Sequence, residues 1–454
     1  MAQFDVEAFV DRQKIGRPQL AVLLVCLLVC FIDGFDIFMV GKIAPAIAEG
    51  FGEPVEAMTL LFLCQQIGLA VGAFVVAPLA DRFGRRSMLI FACATFGAVT
   101  LASVYAQTLF QLSIMRGIAG VFMSAGLPMA LAMISEATPR HRRSTFIAIA
   151  LAGYSTGSAA SGAVAAWLID IYGWQSGFWI GGIVPILCIP LLLFFVPESL
   201  KYRTERNPKD PGIARTIQRM DRSVVLAGDE VFVLGEADGT ARKAKLLDVF
   251  LEGRTWMTSI LWAACFLSMA NIALLAAWLP SFFQEMAGIP IQRFAIIALI
   301  AYGGGVVGTL TIGYLMDRIR ATTLIPFYYI GISVALFAMG QVSFEAPIFI
   351  GILLFWSFAQ TGGQGGLNTL ITQVYPPRMR STALGWSGGA GRIGGVISPI
   401  FGGVAIAQNF SLQLTLTCIA VVPLIVAVLV FMLGRNSYAR QAVIASVVTQ
   451  RGTA

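Results

Sequence analysis

Charge is scarce in this sequence. Only 12% of its 454 residues are Asp, Glu, Lys or Arg, against 57% hydrophobic residues and a mean hydropathy of +0.80. Soluble domains carry about twice that share of charge, so a polytopic membrane protein is the starting point. Charged residues are missing altogether between Arg86 and Arg116, Arg143 and Asp170, Asp170 and Glu198, Arg254 and Glu285, Glu345 and Arg378, and Arg392 and Arg435. Histidine is nearly absent, and His141 lies in a polar connection. With no HExxH, no GxSxG and no metal-ligand cluster in the apolar stretches, an enzyme has little acid–base equipment to work with. No GxxxxGK[ST] phosphate loop occurs, so ATP-driven chemistry is not indicated and no cofactor is expected. No small-residue cleavage site follows the lead-in MAQFDVEAFVDRQKIGRP, so a cleavable signal peptide is not expected. The seven cysteines all fall in apolar stretches and read as small hydrophobes, not as a disulfide or metal framework.

What is present is a series of apolar runs long enough to cross a bilayer, which takes about 20 residues. Dividing them at Gly, Pro and Asn breaks predicts twelve spans, near 19–47, 57–80, 87–106, 109–134, 144–169, 175–196, 255–284, 293–316, 321–343, 346–375, 381–407 and 411–434. Of the 31 lysines and arginines, 27 fall on one side of this arrangement. By the positive-inside bias, both termini are expected in the cytoplasm. The net charge of +7 is then a topology signal, and no nucleic acid partner is expected.

The chain reads as a cytoplasmic segment 1–18, a six-helix bundle 19–196, a central cytoplasmic loop 197–254, a second six-helix bundle 255–434 and a cytoplasmic tail 435–454. The halves repeat. PLADRFGRR after span two matches GYLMDRIRA after span eight, and SEATPRHRRST after span four matches TQVYPPRMRST after span ten. Two matches at almost the same interval point to parallel six-helix repeats, which place a binding site between them near the midplane.

These motifs resemble the major facilitator superfamily. Asp81–Arg86 is similar to its signature after span two, and Arg116-x-x-x-Gly120, Glu136-x-x-Pro139-x-x-x-Arg143 and Pro197-Glu198-Ser199 also fit. DGFD in span one, AAWLP at 276–280, GGQGGLNTL followed by YPPRMRSTALGW, and GRIGG at 391–395 together resemble the aromatic acid:proton symporter family. The resemblance implies an all-α fold of twelve transmembrane helices in two bundles. It also implies a secondary transporter of the inner membrane that imports an aromatic carboxylate with protons by alternating access. A monomer is expected.

Within FIDGFDIFMVGKIAP, residues 31–45, Asp33 and Asp36 are spaced i, i+3 and share a helical face. Asp33 lies about 20 Å along span one at 1.5 Å per residue, where a carboxylate costs at least about 2.5 kcal/mol. Either the two pair with basic neighbours, or at least one loads a proton on one side of the membrane and releases it on the other. Arg116 in span four lies near the depth of Asp36, so an Asp36–Arg116 pair is expected, with substrate contact as the other reading. Arg392 sits near the middle of span eleven with no acidic residue at comparable depth in spans seven to twelve. Its fork suits a carboxylate bidentately, belonging to the substrate or to Asp33. Lys42 either snorkels to the outer surface or offers a second cation to an anionic substrate.

Asn271, Gln364 and Asn368 are uncharged hydrogen-bonding groups, the last two on one face at i, i+4. They join helices or, as the resemblance implies, recognise ring hydroxyls or the carboxylate. Tyr154, Trp278, Phe355 and Trp386 are candidates to clasp a planar ring. Asp81, Arg82, Arg85, Arg86, Glu136, Arg143, Glu198, Asp317 and Arg318 supply the mixed charges of an inner gate, with Asp81 also a candidate helix cap. A symporter for a sugar acid or dicarboxylate, and a transporter-like sensor, remain as alternatives.

Overall fold

The computed structural model describes residues 3–221, 224, 226, 230–234, 246–251, 253–316, 318–376 and 379–435. Nearly all of this is helix, as a bilayer demands: with no water in the hydrocarbon, each backbone N–H and C=O must be satisfied within its own segment. The helical spans begin and end within a few residues of the limits read from the sequence. The chain divides into two compact units, Met1–Met39 with Cys64–Ser161 and Ile171–Thr240, and Val40–Leu63 with Gly162–Asp170 and Ala241–Ala454.

The first unit holds β1 (Gln3–Asp5), α1 (Val6–Arg12), most of α2 (Arg17–Phe51) and α3 (Met58–Phe83), then α4 (Arg85–Ala102), α5 (Leu109–Met123), α6 (Gly126–Ala137), most of α7 (Arg140–Trp167) and α8 (Gln175–Phe195). After α8 come α9 (Leu200–Arg206), α10 (Pro211–Met220) and β2 (Val231–Val233). α2 runs through Asp33, Asp36, Lys42 and Pro45 without a break. Span four is broken instead: α5 stops at Met123, and α6 restarts at Gly126 after two turn residues. The interior of this unit is built from residues such as Cys26, Val29, Leu89, Phe96, Met129 and Leu192.

The sequence reading treats 1–18 as a lead-in and the central stretch as a connector. The structure makes one small folded layer from both. β1 and β2 pair in parallel with Phe4 opposite Phe232. Val6, Phe9, Val10, Leu200, Ile213, Ile217 and Phe232 form a separate apolar core beneath them. Asp5 caps α1 by accepting the Ala8 N–H at 3.0 Å, and Asp210 does the same for α10 through Gly212 at 2.8 Å. Arg140, opening α7, pairs with Asp11 at 2.9 Å and Glu7 at 3.6 Å. Three-residue strands whose partners lie more than 200 positions away leave no periodic signal, which is why the layer is invisible to a reading of local pattern.

The second unit holds α11 (Thr255–Ala287), α12 (Ile291–Met316), α13 (Ala321–Gln341), α14 (Pro347–Val374), α15 (Arg380–Ile397), α16 (Pro399–Ala407) and α17 (Leu412–Arg435). α11 ends on Gly288, whose φ of +65° gives the left-handed turn a side chain would resist. The boundary between units differs from the expected split at the central loop, because residues 40–63 and 162–170 group with the second unit. There, Phe62 stands edge-on to Trp278 with ring centres 5.0 Å apart, and Gln292 donates to Asp170 at 2.8 Å.

Candidate functional site

In the first unit, α2 and α5 bring Asp36 and Arg116 together as depth along the helices predicts. Both side chains are 0% exposed, and the guanidinium fork meets the carboxylate with two bonds, Nη1 to Oδ1 at 3.0 Å and Nη2 to Oδ2. Phe178 of α8 closes the other side, its ring centre 5.5 Å from the guanidinium carbon. Two opposite charges removed from water are tolerable only with this kind of geometry, since the desolvation of each ion is several kcal/mol on the order of its gain.

Asp33, one turn earlier, does not join that pair. Its Oδ2 accepts the Leu127 N–H at 2.7 Å, at the first turn of α6. The break in span four therefore exposes a helix N-terminus inside the bundle, and its unpaired N–H groups and dipole hold the carboxylate. A Cβ at Gly126 would stand 2.8 Å from Asp33 Oδ1, so the close approach depends on glycine there. The sequence reading overlooks this partner. The signal was present in Ser124-Ala-Gly-Leu-Pro128, where a proline sits in the first turn of a restarted helix.

Towards the arginine-rich side the charged motifs form two clasps. Arg85 pairs with Glu136, whose other oxygen accepts from Ser199 Oγ at 2.5 Å. Glu198 accepts from the Arg86 and Ser87 N–H groups at 2.9 and 3.3 Å and caps α4 from a distance. Gly84 precedes that cap at φ +97°, with Glu198 where a side chain would stand. The cap is thus made by Glu198, while Asp81 is 78% exposed and, among the described residues, pairs only with Arg85, at 4.0 Å. Arg86 also donates to the carbonyls of Leu192 and Leu193. Arg82 lies over Phe83, and its carbonyl accepts from the Tyr202 hydroxyl at 3.0 Å. Arg143 borders a cavity beside α1. In the second unit Arg318 stacks on Tyr314 at 4.3 Å, and Asp317 lies outside the described residues. Glu198→Ala is expected to cost about 1 kcal/mol by uncapping α4, seen as a lower thermal midpoint in detergent with Glu198→Gln, which keeps an acceptor oxygen, as the comparison.

The second unit carries Arg392 on α15, half-buried. Beside it, Gly394 lets α15 press against the Phe266 carbonyl of α11. Lys42 is 3% exposed, so it is buried and does not snorkel to an aqueous surface. A polar seam joins α11 to α14 and α13. Asn271 Nδ2 donates to Gln360 Oε1 at 2.9 Å, and Ser268 Oγ is 2.6 Å from both the Tyr329 hydroxyl and Gln364 Oε1. Gln364 reaches Asn368 at 3.4 Å. Asn271 and Gln360 are 3% and 8% exposed, and each keeps one amide atom, Oδ1 and Nε2, without a hydrogen bond among the described residues. Ser268, Tyr329 and Gln360 were missed in the sequence. The spacing that could have found Gln360 is Gln360–Gln364–Asn368, at i, i+4, i+8 on one face; Ser268 and Tyr329 carry no such signal.

The aromatic candidates divide. Trp278 is fully buried and donates to the Pro399 carbonyl at 2.9 Å, a packing role. Tyr154 stands edge-on to Phe38, Trp386 stacks on Trp262, and Phe355 stacks on Phe358. Among the described residues, no group of three or more His, Cys, Asp or Glu could hold a metal ion.

The Major Facilitator Superfamily matches residues 26–399. Among curated proteins, the 4-hydroxybenzoate transporter PcaK of Pseudomonas putida is 30% identical over 96% of this chain and 97% of its own. The gallate transporter of the same species is 30% identical over 92% of both. Among solved structures, a D-xylose-proton symporter superposes with a TM-score of 0.69 at 18% identity, over 91% of this chain and 97% of that one. That likeness speaks for the fold alone.

Proposed function

The chain belongs to the Major Facilitator Superfamily, a multi-pass membrane transporter, and from that premise we propose that it imports an aromatic carboxylate together with protons across the cytoplasmic membrane, with both termini inside. The observation that carries the substrate class is near-full-length similarity to relatives named for 4-hydroxybenzoate and gallate. Proton coupling rests on Asp33, an ionisable group buried at mid-depth and held by a backbone N–H, that of Leu127, with no counter-ion on it among the described residues. No prosthetic group is needed; the proton is the coupling ion.

In this reading Asp33 carries the proton, Asp36 and Arg116 tie α2 to α5 so that its charge state is felt across the bundle, and Arg392 takes the substrate carboxylate. Asn271, Gln360, Gln364 and Asn368 offer donors and acceptors to ring substituents, and Lys42 adds positive potential. A monoanion entering with one proton moves no net charge, so only the pH gradient drives it. Using the membrane potential, about 2.3 kcal/mol per charge per 100 mV, requires a second proton. The protein acts as a monomer.

The test is uptake into proteoliposomes of radiolabelled 4-hydroxybenzoate, gallate and benzoate under an imposed inward proton gradient. Accumulation of at least one, collapsed by a protonophore, is expected. If none accumulates while a sugar acid or an aliphatic dicarboxylate does, the aromatic assignment is wrong.

A further inference from the structure

A cavity of about 200 Å³ lies in the first unit, where α1 meets the end of α6, the start of α7 and α9. Part of its lining is apolar, Val6, Val10, Leu200 and Leu234, which belong to one packed cluster, and part is charged. The acids on it are already committed. Glu7 and Asp11 hold Arg140, and Glu136 holds Arg85 and the Ser199 hydroxyl. Two cations remain, Arg143 and Lys201, neither in an ion pair with any described residue. Arg143 Nε is moreover a buried donor with no acceptor.

A chamber lined by two uncommitted cations and an apolar cluster is complementary to a small anion with an apolar body. A neutral solute leaves the cations unanswered, and a bare inorganic anion leaves the cluster wet. We infer that this cavity is a second, regulatory site for a small organic carboxylate, apart from the residues assigned to the proton and the cargo. The carboxylate meets Arg143 and Lys201, and the apolar body lies on Val6, Val10, Leu200 and Leu234.

The position gives binding a consequence. The cavity shares Glu136 with the Arg85 clasp, and its floor is α1, fastened to α7 through Arg140. An occupant braces α1, α6, α7 and α9 as one block and slows any step in which they must part. If the cargo is an aromatic carboxylate, as proposed above, the imported acid restrains its own entry once it accumulates on this side.

The probe is 4-hydroxybenzoate. Equilibrium dialysis of the full-length protein in a zwitterionic detergent is expected to give two bound molecules per chain, and one in Lys201→Gln. Leu234→Trp, which fills the cavity from its apolar lining, is expected to do the same. In phosphatidylcholine proteoliposomes, the internal concentration that halves each protein's own uptake rate is expected to rise at least tenfold in both variants. A stoichiometry of one in the unmodified protein with uptake intact, or an internal half-inhibition concentration unmoved in both variants, overturns the inference. Absent uptake with an equivalent of acid still bound and lost in Lys201→Gln overturns the transport reading and leaves this site standing.

Discussion

Arg116→Met is expected to abolish uptake and to destabilise the protein by about 3–5 kcal/mol, the cost of stranding a buried partner charge. Asp36 would be left fully buried with both of its bonds gone, and Phe178 would face an aliphatic chain in place of a guanidinium. The double variant Asp36→Asn, Arg116→Met removes both charges, and most of the lost stability should return, because no ion is then left without a counterpart. Transport should not return with it if the pair passes the state of α2 to α5. Thermal unfolding in detergent reads the first effect and gradient-driven uptake reads the second. A double variant that transports at the native rate would reduce the pair to packing.

The fold was legible because the bilayer makes it so. Charge-free runs of twenty and more residues have few structures open to them, and the limits of α8 or α14 follow from where charge resumes. The Asp36–Arg116 pair was legible for the same reason: depth along two helices is simple arithmetic, and two buried charges need each other. Asp33 was only half legible. Its position and cost are in the sequence, but its partner is a backbone N–H at a helix break, and backbone groups have no letter of their own. The amide of Gln360 was readable as spacing, yet its contact with Asn271 joins positions 89 apart that no local pattern links. The layer built from α1 and the stretch after α8 was the least legible part. Elements of three to ten residues gain their stability from one another, so none announces itself alone.

Asp33→Asn isolates the proton's part in the cycle. The asparagine oxygen can still accept the Leu127 N–H that Asp33 Oδ2 takes at 2.7 Å, so α6 keeps its cap and the break in span four keeps its geometry. A neutral amide also resembles the protonated carboxyl, which lets the substituted helix adopt whatever conformations the protonated protein visits. What is lost is ionisation. One pH unit is worth about 1.4 kcal/mol, so a one-proton symporter of a monoanion can accumulate its cargo about tenfold across a gradient of that size. The variant is expected to bring internal and external concentrations level and no further. Exchange of labelled for unlabelled acid, which needs the bundle to move but no net proton transfer, should continue at a rate near native. Loss of both activities would mark Asp33 as structural, and undiminished accumulation would move the proton to another group, with Asp36 the first to examine by the same substitution.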